Sequence, residues 1–228
     1  MLEDLKKFYK NKRIFITGNT GFKGSWLTMI LNSFNSNLCG YSLNENFKPS
    51  MYELLNLKSK IKLIKGDVRN FQHLNKSINK FKPDIIFHLA AQSLVHKSYI
   101  DPLFTVSTNT GGSANILESC RLSKSLKSLI YITSDKCYEN VEWIWGYREN
   151  DKLGGYDAYS SSKAAAENIF SAYLESFFKN KKLGAVSVRA GNVIGGGDWS
   201  ENRIIPDIIK SIENKKKIII RNPKSTRP

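Results

Sequence analysis

The sequence contains no apolar stretch long enough to cross a membrane, and its first residues have no apolar run like that of a signal peptide. It has only three cysteines in 228 residues, and their wide spacing excludes a disulfide framework or a zinc pattern. Acidic residues are also scarce, with 20 Asp and Glu against 35 Lys and Arg. These absences predict a cytoplasmic protein with no metal site.

The formal net charge of +15 is compatible with binding to nucleic acid or to an anionic membrane. The lysines are spread along the chain, however, and the runs at 179–182 and 215–217 lie between predicted elements. We therefore interpret the charge as solvated surface lysine, and we expect neither nucleic acid nor a membrane as a partner.

Short β-branched segments alternate with amphipathic segments along the whole chain. This pattern predicts strands at 13–17, 37–43, 61–64, 84–89, 126–133, 185–189 and 217–221. It predicts helices at 22–34, 74–81, 102–122, 159–178 and 204–212. Apolar strands separated by helices indicate an α/β fold with a doubly wound parallel sheet of the Rossmann type.

A glycine-rich turn joins the first predicted strand to the first predicted helix. Gly18, Gly21 and Gly24 follow Thr17 with the spacing Gly-x-x-Gly-x-x-Gly. Such glycines let the backbone turn tightly and let a diphosphate approach the free N–H groups of a helix N-terminus. Because this spacing also occurs in ordinary loops, it is the position after the first strand that favours a dinucleotide site.

The end of the second predicted strand lacks the acidic residue that usually binds the adenosine ribose of NAD, since residues 40–43 read Gly-Tyr-Ser-Leu. The choice between NAD and NADP is therefore open from these residues. After the third and fourth strands, Asp67 is a candidate for the adenine amino group, and Ala90 and Ala91 are small enough to let a dinucleotide pass. A turn aspartate and two packing alanines are the alternative interpretation.

Tyr159 and Lys163 are four residues apart and share one face of a predicted helix. A free tyrosine has a pKa of about 10, and a nearby ammonium would favour its phenolate, which can take a proton from a sugar hydroxyl. The fifth strand ends in Ser134, Asp135 and Lys136, at the sheet edge where ligands bind. A polar turn that closes the strand is the alternative for these three residues.

Five longer segments, at 21–26, 133–138, 142–151, 154–163 and 189–199, carry a specific resemblance. They resemble the extended short-chain dehydrogenase/reductase family, whose members act on nucleotide sugars, and within it the branch that dehydrates CDP-glucose. Related dTDP-glucose dehydratases have Asp-Glu where this chain has Asp135-Lys136, and that departure matches the CDP-glucose branch.

The resemblance implies NAD as cofactor and dehydration of CDP-glucose to CDP-4-keto-6-deoxyglucose. It implies that Tyr159, assisted by Lys163 and Ser134, is the base at C4. Lys136 would then remove the C5 proton, and Asp135 would protonate the departing C6 hydroxyl. The residues that it implies for the cofactor are Thr17, Gly18, Gly21, Phe22, Lys23, Gly24, Asp67, Val68, Ala90, Ala91, Gln92, Asn109, Thr133, Tyr159 and Lys163. Those that it implies for the substrate are Ser93, Asn192, Arg203 and Arg227.

Under this interpretation residues 1–189 form an NAD-binding domain, and residues 190–228 begin a substrate-binding lobe that we expect to be truncated. We expect a homodimer or a higher homo-oligomer, because members of the family commonly pair through two long helices. Two other hypotheses stay open. One is a different nucleotide-sugar dehydratase, or a 4-epimerase that needs Tyr159 and Lys163 but not the Asp135-Lys136 pair. The other is a non-catalytic protein of this fold that binds nucleotides or RNA.

Overall fold

A computed structural model describes residues 1–43, 49–221 and 223–224 of the chain. Its strands form a six-stranded sheet in the order β3-β2-β1-β4-β5-β6, and every pair of neighbours is parallel. The strands are β1 Arg13–Thr17, β2 Asn37–Ser42, β3 Lys62–Lys65, β4 Ile85–His88, β5 Ser128–Ile132 and β6 Gly184–Val188. This is the strand order of doubly wound dinucleotide-binding folds, so the predicted fold class is confirmed.

The helices within the described residues connect these strands on both faces of the sheet. They are α1 Leu2–Tyr9, α2 Phe22–Ser33, α3 Met51–Leu54, α4 Phe71–Phe81, α5 Val95–Ile100, α6 Pro102–Val106, α7 Gly112–Leu122, α8 Ala158–Tyr173, α9 Lys179–Lys181 and α10 Ile204–Glu213. A π-helical turn at Ser107–Gly111 joins α6 to α7, and another at Leu174–Phe178 follows α8. The long helical stretches predicted at 102–122 and 159–178 are therefore present.

The core lies in two layers, one on each side of the sheet. Side chains alternate along β1, so that Phe15 faces a cluster formed with α4, α7 and α8, while Ile14 and Ile16 face a cluster formed with α2. All three side chains are fully buried. Burial of such a side chain contributes about 1.5–3 kcal/mol, so these layers hold the strand ends in fixed positions.

Four helices, α1, α3, α5 and α9, were not predicted from the sequence. Two of them, α3 and α5, have only four and six residues, which is too short for a helical period to be visible. No residue of α1 is buried, although Leu2, Leu5, Phe8 and Tyr9 recur at helical spacing, so this period was an available signal. Within the described residues, no helix has both the length and the apolar character that crossing a bilayer requires.

The prediction of a seventh strand at 217–221 is wrong. Residues 216–220 have no regular secondary structure, and in the described part of the chain the sheet ends at β6. Ile218, Ile219 and Ile220 are 48%, 77% and 53% exposed. Among the residues that the structure describes, no neighbouring strand supplies a hydrogen-bonded ladder to this apolar run.

Candidate active site

The carboxyl ends of the strands open into a cavity of about 440 Å³. Its walls come from the turn after β1, the end of β2, residues 66–68 after β3, residues 89–94 after β4, and residues 197–200 with Arg203 after β6. Ligands of doubly wound sheets bind at the carboxyl edge, at the point where the direction of the strand order changes. Here that point lies at β1, because β2 and β3 extend the sheet on one side of it and β4 to β6 extend it on the other.

The three glycines of the turn after β1 differ in what surrounds them. A Cβ on Gly18, whose φ is +72°, would lie 2.7 Å from the Ala90 backbone nitrogen, and a Cβ on Gly24 would lie 2.1 Å from the Gly18 oxygen. Around Gly21 the nearest atom to such a Cβ is the Gly18 oxygen, at 3.4 Å. Gly18 and Gly24 are therefore required by the packing of the turn itself, whereas a Cβ on Gly21, which lines the cavity, would make only an ordinary van der Waals contact.

The first turn of α2 presents positive charge to the cavity. No side chain caps the helix at Gly21, and the positive end of a helix dipole favours an anion. Lys23 lies on the cavity wall close to a second cation, Arg203. Burial and the charge of Arg203 lower the pKa of Lys23, while Asp135 raises it. The turn thus combines an uncapped helix end with a partly buried ammonium.

Residues 195–203 form the wall on the other side of the cavity mouth. Trp26 Nε1 donates to the Gly196 carbonyl at 2.9 Å, which ties this segment to α2. Arg203 forms an ion pair with the buried Asp198 at 3.1 Å, and both line the cavity. A Cβ on Gly197, whose φ is +83°, would lie 2.4 Å from the Met51 sulfur, so the segment also packs closely against α3.

Tyr159 and Lys163 are positioned by the start of α8. Asp157 caps this helix, because its Oδ1 accepts the Ser160 N–H at 2.9 Å and its Oδ2 accepts the Ser160 hydroxyl at 2.7 Å. Tyr159 lies in the first turn and Lys163 one turn later, with its Nζ 6.0 Å from the centre of the tyrosine ring. Both side chains are buried.

Burial dominates the electrostatics of this pair. It raises the pKa of Tyr159, and the charge of Asp135 raises it further, whereas a hydrogen bond with Ser134 and the charge of Arg203 lower it. Burial also lowers the pKa of Lys163 to about 8, and repulsion by Lys23 adds to that effect. The neutral phenol is therefore favoured at neutral pH, and further stabilisation of the phenolate is needed for Tyr159 to act as a base.

Ser134 joins the strand-five residues to the tyrosine. Its hydroxyl donates to Asp135 Oδ1 at 2.8 Å and accepts the Lys136 N–H at 3.2 Å, in a 3-10 turn that spans Asp135–Cys137. The same side chain is close enough to Tyr159 to lower the pKa of its phenol. The structure thus brings together the hydroxyl, the carboxyl and the phenol that were singled out in the sequence.

These residues lie beside the cavity rather than on its wall. The wall does not include Ser134, Asp135, Lys136, Tyr159 or Lys163. Lys23 and Arg203, which are on the wall, interact electrostatically with Asp135 and Tyr159, respectively. The catalytic candidates therefore border the cavity at the side where α2 and residues 195–203 approach each other.

Most of the other expected ligand-binding residues line the cavity. These are Gly18, Gly21, Phe22, Lys23, Gly24, Asp67, Val68, Ala90, Ala91 and Gln92 for the cofactor, and Ser93 and Arg203 for the substrate. Asp67 is paired with Arg69 at 2.6 Å, which lowers the pKa of its carboxyl group. The carboxylate that we expect to contact the adenine amino group is therefore already paired with Arg69.

Four expected residues lie away from the cavity wall, and a fifth lies outside the described residues. Thr17 shares a hydrogen bond with His88 Nδ1 at 2.8 Å, and Asn109 Nδ2 donates to the Gln92 carbonyl and to Ser162 Oγ, both at 3.0 Å. Thr133 donates to Glu167, and Asn192 is solvent-exposed. The fifth residue is Arg227.

One buried group at this site was not singled out from the sequence. Glu167 on α8 is only 3% exposed and forms an ion pair with Arg189 at 2.9 Å. It follows Lys163 by four residues, so the helical period alone places it on the same face as that lysine. That spacing was the available signal for Glu167. The hydrogen-bond partners of Glu167 come from β6 and from the ends of β5 and β6, which are distant in sequence.

Comparison with known proteins adds a family match. The family described as GDP-mannose 4,6 dehydratase matches residues 15–227. A CDP-glucose 4,6-dehydratase of Salmonella typhimurium is 50% identical over 98% of this chain and 64% of its own length. A dTDP-D-glucose 4,6-dehydratase of Dictyostelium discoideum is 32% identical over 92% of this chain and 50% of its own length. The chain thus spans less than two thirds of the length of these relatives.

Solved structures share the fold over most of the chain. A UDP-glucose 4-epimerase of Thermus thermophilus, determined in complex with NAD, is 26% identical with a TM-score of 0.72. The similarity covers 83% of this chain and 58% of the epimerase.

Proposed function

The chain belongs to the GDP-mannose 4,6-dehydratase family, and from that premise we propose that it dehydrates CDP-glucose with NAD as cofactor. The observation that carries the proposal is the packing of the turn that carries Asp135 and Lys136 against α8, which carries Tyr159 and Lys163. A tyrosine and a lysine suffice for oxidation at C4, whereas elimination of water also needs an acid and a second base. The 50% identity to a CDP-glucose 4,6-dehydratase supports the choice of CDP-glucose.

The cavity fits a dinucleotide. Gly21 has no side chain and lies at an uncapped helix end, which suits the close approach of a diphosphate. The ammonium of Lys163 lies beside the Tyr159 ring, and its N–H donors suit ribose hydroxyls. When bound, NAD supplies the site that accepts a hydride from C4 and returns it to C6. The choice of NAD over NADP is supported by the NAD complex of the related epimerase.

Tyr159 is the proposed base at C4 of the sugar. It takes the proton of the C4 hydroxyl while the hydride leaves the same carbon, which gives a 4-keto sugar. The ammonium of Lys163, next to the tyrosine ring, favours the phenolate electrostatically. This help is necessary because burial raises the pKa of Tyr159 in the protein alone.

Asp135 and Lys136 carry out the proposed elimination. The ketone acidifies the C5 proton, which Lys136 takes, while protonated Asp135 gives its proton to the C6 hydroxyl and water leaves. Lys136 returns its proton to C5 when the hydride arrives at C6. Tyr159 has then gained one proton and Asp135 has lost one. Ser134, which is close to both residues, provides a short path by which a proton passes from Tyr159 to Asp135.

The test is an incubation with CDP-glucose and far less than one equivalent of NAD. We expect a product that is lighter than the substrate by one water, with no lasting accumulation of reduced cofactor. An epimerised sugar of unchanged mass, or one NADH per sugar consumed, would contradict the proposal. GDP-, dTDP- and UDP-glucose tested in parallel measure the selectivity for the base, and Tyr159→Phe is the inactive control.

The same proposal includes a cytoplasmic location and a homo-oligomeric state. Cys39, Cys120 and Cys137 are all free and buried, which supports a reducing compartment. Light scattering at several protein concentrations measures the oligomeric state directly.

A further inference from the structure

A buried carboxylate on α8 gathers hydrogen bonds from two neighbouring strands. Glu167 Oε1 accepts the hydroxyl of Thr133, at the end of β5. Its Oε2 accepts the Ser187 hydroxyl at 3.0 Å and Arg189 Nη2 at 2.9 Å, both from the β6 side. Each carboxylate oxygen is therefore engaged by a donor from outside the helix.

The arginine of this ion pair extends the contacts to a further segment. Arg189 Nη1 donates to the Tyr138 hydroxyl at 2.9 Å and to the Glu149 carbonyl at 2.8 Å. The guanidinium also lies over the Tyr138 ring, 4.9 Å from its centre. Glu149 belongs to the stretch between β5 and α8, which returns to the Cys137 carbonyl through a bond from the Gly154 N–H at 2.9 Å.

The pair holds both ends of the strand-five catalytic turn. Thr133 directly precedes Ser134, Asp135 and Lys136, and Tyr138 follows them with one residue between. Thr133 is bonded to Glu167 and Tyr138 to Arg189, while Tyr159 and Lys163 stand on the same helix as Glu167. A single ion pair thus fixes the distance between the turn and the helix that carry the two halves of the candidate site.

We propose that Glu167 and Arg189 are positioning residues that align Asp135 and Lys136 with the sugar bound at Tyr159. This inference rests on the proposed function and deepens it, because it assigns the pair to the elimination step. Oxidation at C4 uses Tyr159 and Lys163, which the capped start of α8 positions, and only Ser134, the residue that begins the turn, assists them. Elimination also needs the turn, whose position depends on the pair.

The substitution Arg189→Lys tests the role of the pair in elimination. Lysine keeps the charge opposite Glu167 but lacks the planar fork that bonds Glu167, Tyr138 and Glu149 together. A small misplacement of a catalytic group costs up to about 100-fold in rate, so we expect elimination to fall about 10–100-fold. Oxidation at C4 should change less than threefold, and reduced cofactor should build up during turnover, as it should in Lys136→Ala.

Tyr138→Phe removes one hydrogen bond of the arginine and leaves the ring in place. It should give the same signature more weakly, and it keeps the test available if Arg189→Lys folds poorly. Equal loss of oxidation and elimination in both variants, with no build-up of reduced cofactor, would show a merely structural role and overturn the inference.

Hydrogen exchange of the NAD-loaded chain, followed by mass spectrometry, tests the positioning without substrate. Arg189→Lys should speed exchange across residues 133–153 and leave β1 to β4 unchanged. Arg121→Lys is the matched control, because Arg121 pairs with Glu118 at 2.6 Å on α7, where the carboxylate also accepts a tyrosine hydroxyl.

The two possible failures are distinguishable. If the unsubstituted chain makes no dehydrated product, the proposed function fails, and the exchange measurement still decides whether the pair positions the turn. Unchanged exchange over 133–153, or faster exchange throughout the sheet, would contradict the positioning role.

Discussion

Lys163 carries the clearest electrostatic cost among the individual residues. Burial lowers its pKa from 10.5 in the unfolded chain to about 8. Between these two values the unfolded state binds more protons than the folded state, so the free energy of unfolding rises with pH over this interval. The penalty is therefore complete below about pH 8 and disappears above about pH 10.5. A residue retained at such a cost is expected to serve function rather than stability.

Lys163→Met should stabilise the fold while it removes activity. We expect the free energy of unfolding at pH 7 to rise by about 1–3 kcal/mol, because a buried charge is replaced by an apolar side chain of similar length. Urea unfolding at pH 7 and at pH 10.5 measures this, and the gain should shrink at the higher pH.

Lys124→Met is the control for this prediction, since Lys124 is exposed, and we expect it to stay within about 0.5 kcal/mol of the unsubstituted chain at both values of pH. A loss of stability in Lys163→Met at pH 7 would show that the buried ammonium contributes favourable interactions.

The candidate catalytic residues could be predicted one by one because their motifs are local. Tyr159 and Lys163 are one helical turn apart, and Ser134 to Lys136 are consecutive. The Glu167–Arg189 pair joins a helix to a strand end 22 residues away, and no local pattern marks it. The amide of Asn109, which we expect near the cofactor, bonds the Gln92 carbonyl and Ser162, and no local pattern marks these contacts either.

Among the elements, α8 connects fold and site most directly. Its N-terminus is held by Asp157, which bonds both the N–H and the hydroxyl of Ser160. Ser162, one residue before Lys163, donates to the Tyr159 carbonyl at 2.7 Å and accepts from Asn109. The position of the phenol therefore depends on the cap at one end and on the loop after β4 through Asn109.

Asp157→Ala should reduce both stability and catalysis. Loss of a helix cap costs about 1 kcal/mol, and the first turn that carries Tyr159 should fray, so kcat should fall more than tenfold with little change in KM for CDP-glucose. Thermal unfolding and steady-state kinetics measure the two effects.

Asn70→Ala is the matched control, because Asn70 caps α4 through a single bond to the His73 N–H at 3.0 Å, away from the cavity. It should lose a similar amount of stability and keep its kcat. Equal kcat values in the two variants would show that the Asp157 cap has no specific role in catalysis.

Strands were predictable where burial on both faces makes their sequence continuously apolar. The bounds of β1 agree with the prediction at 13–17, because every residue after Arg13 is buried. The run at 217–221 has the same local composition but lies exposed, and only the tertiary neighbours distinguish the two cases. The short α3 and α5 owe their existence to neighbours in the same way.

At the scale of the whole molecule, the topology explains how distant motifs meet. The order β3-β2-β1-β4-β5-β6 places the glycine turn after β1 next to the loop after β4, and the catalytic turn after β5 next to both β4 and β6. All strands are parallel, so these loops share one edge of the sheet. This order follows from the class of fold, which the alternation of strands and helices predicted.

The contribution of residues 195–203 could not be predicted in the same way. This segment reaches α2 through the bond from Trp26 to Gly196, across 170 residues of sequence. It brings Arg203 and Asp198 to the cavity, whereas Asn192 in the same loop is exposed. Irregular segments follow no period, so the sequence indicated which residues matter without showing which of them face the cavity.

In the proposed reaction, one hydride moves from C4 to C6 of the sugar while water is lost. The most direct test is to supply CDP-glucose deuterated at C4, with catalytic NAD. Mass spectrometry then measures the mass of the product, and NMR locates the deuterium. We predict a product lighter than the labelled substrate by one ordinary water, with deuterium at C6. Deuterium that remains at C4, or that is retained in a product of unchanged mass, would contradict it.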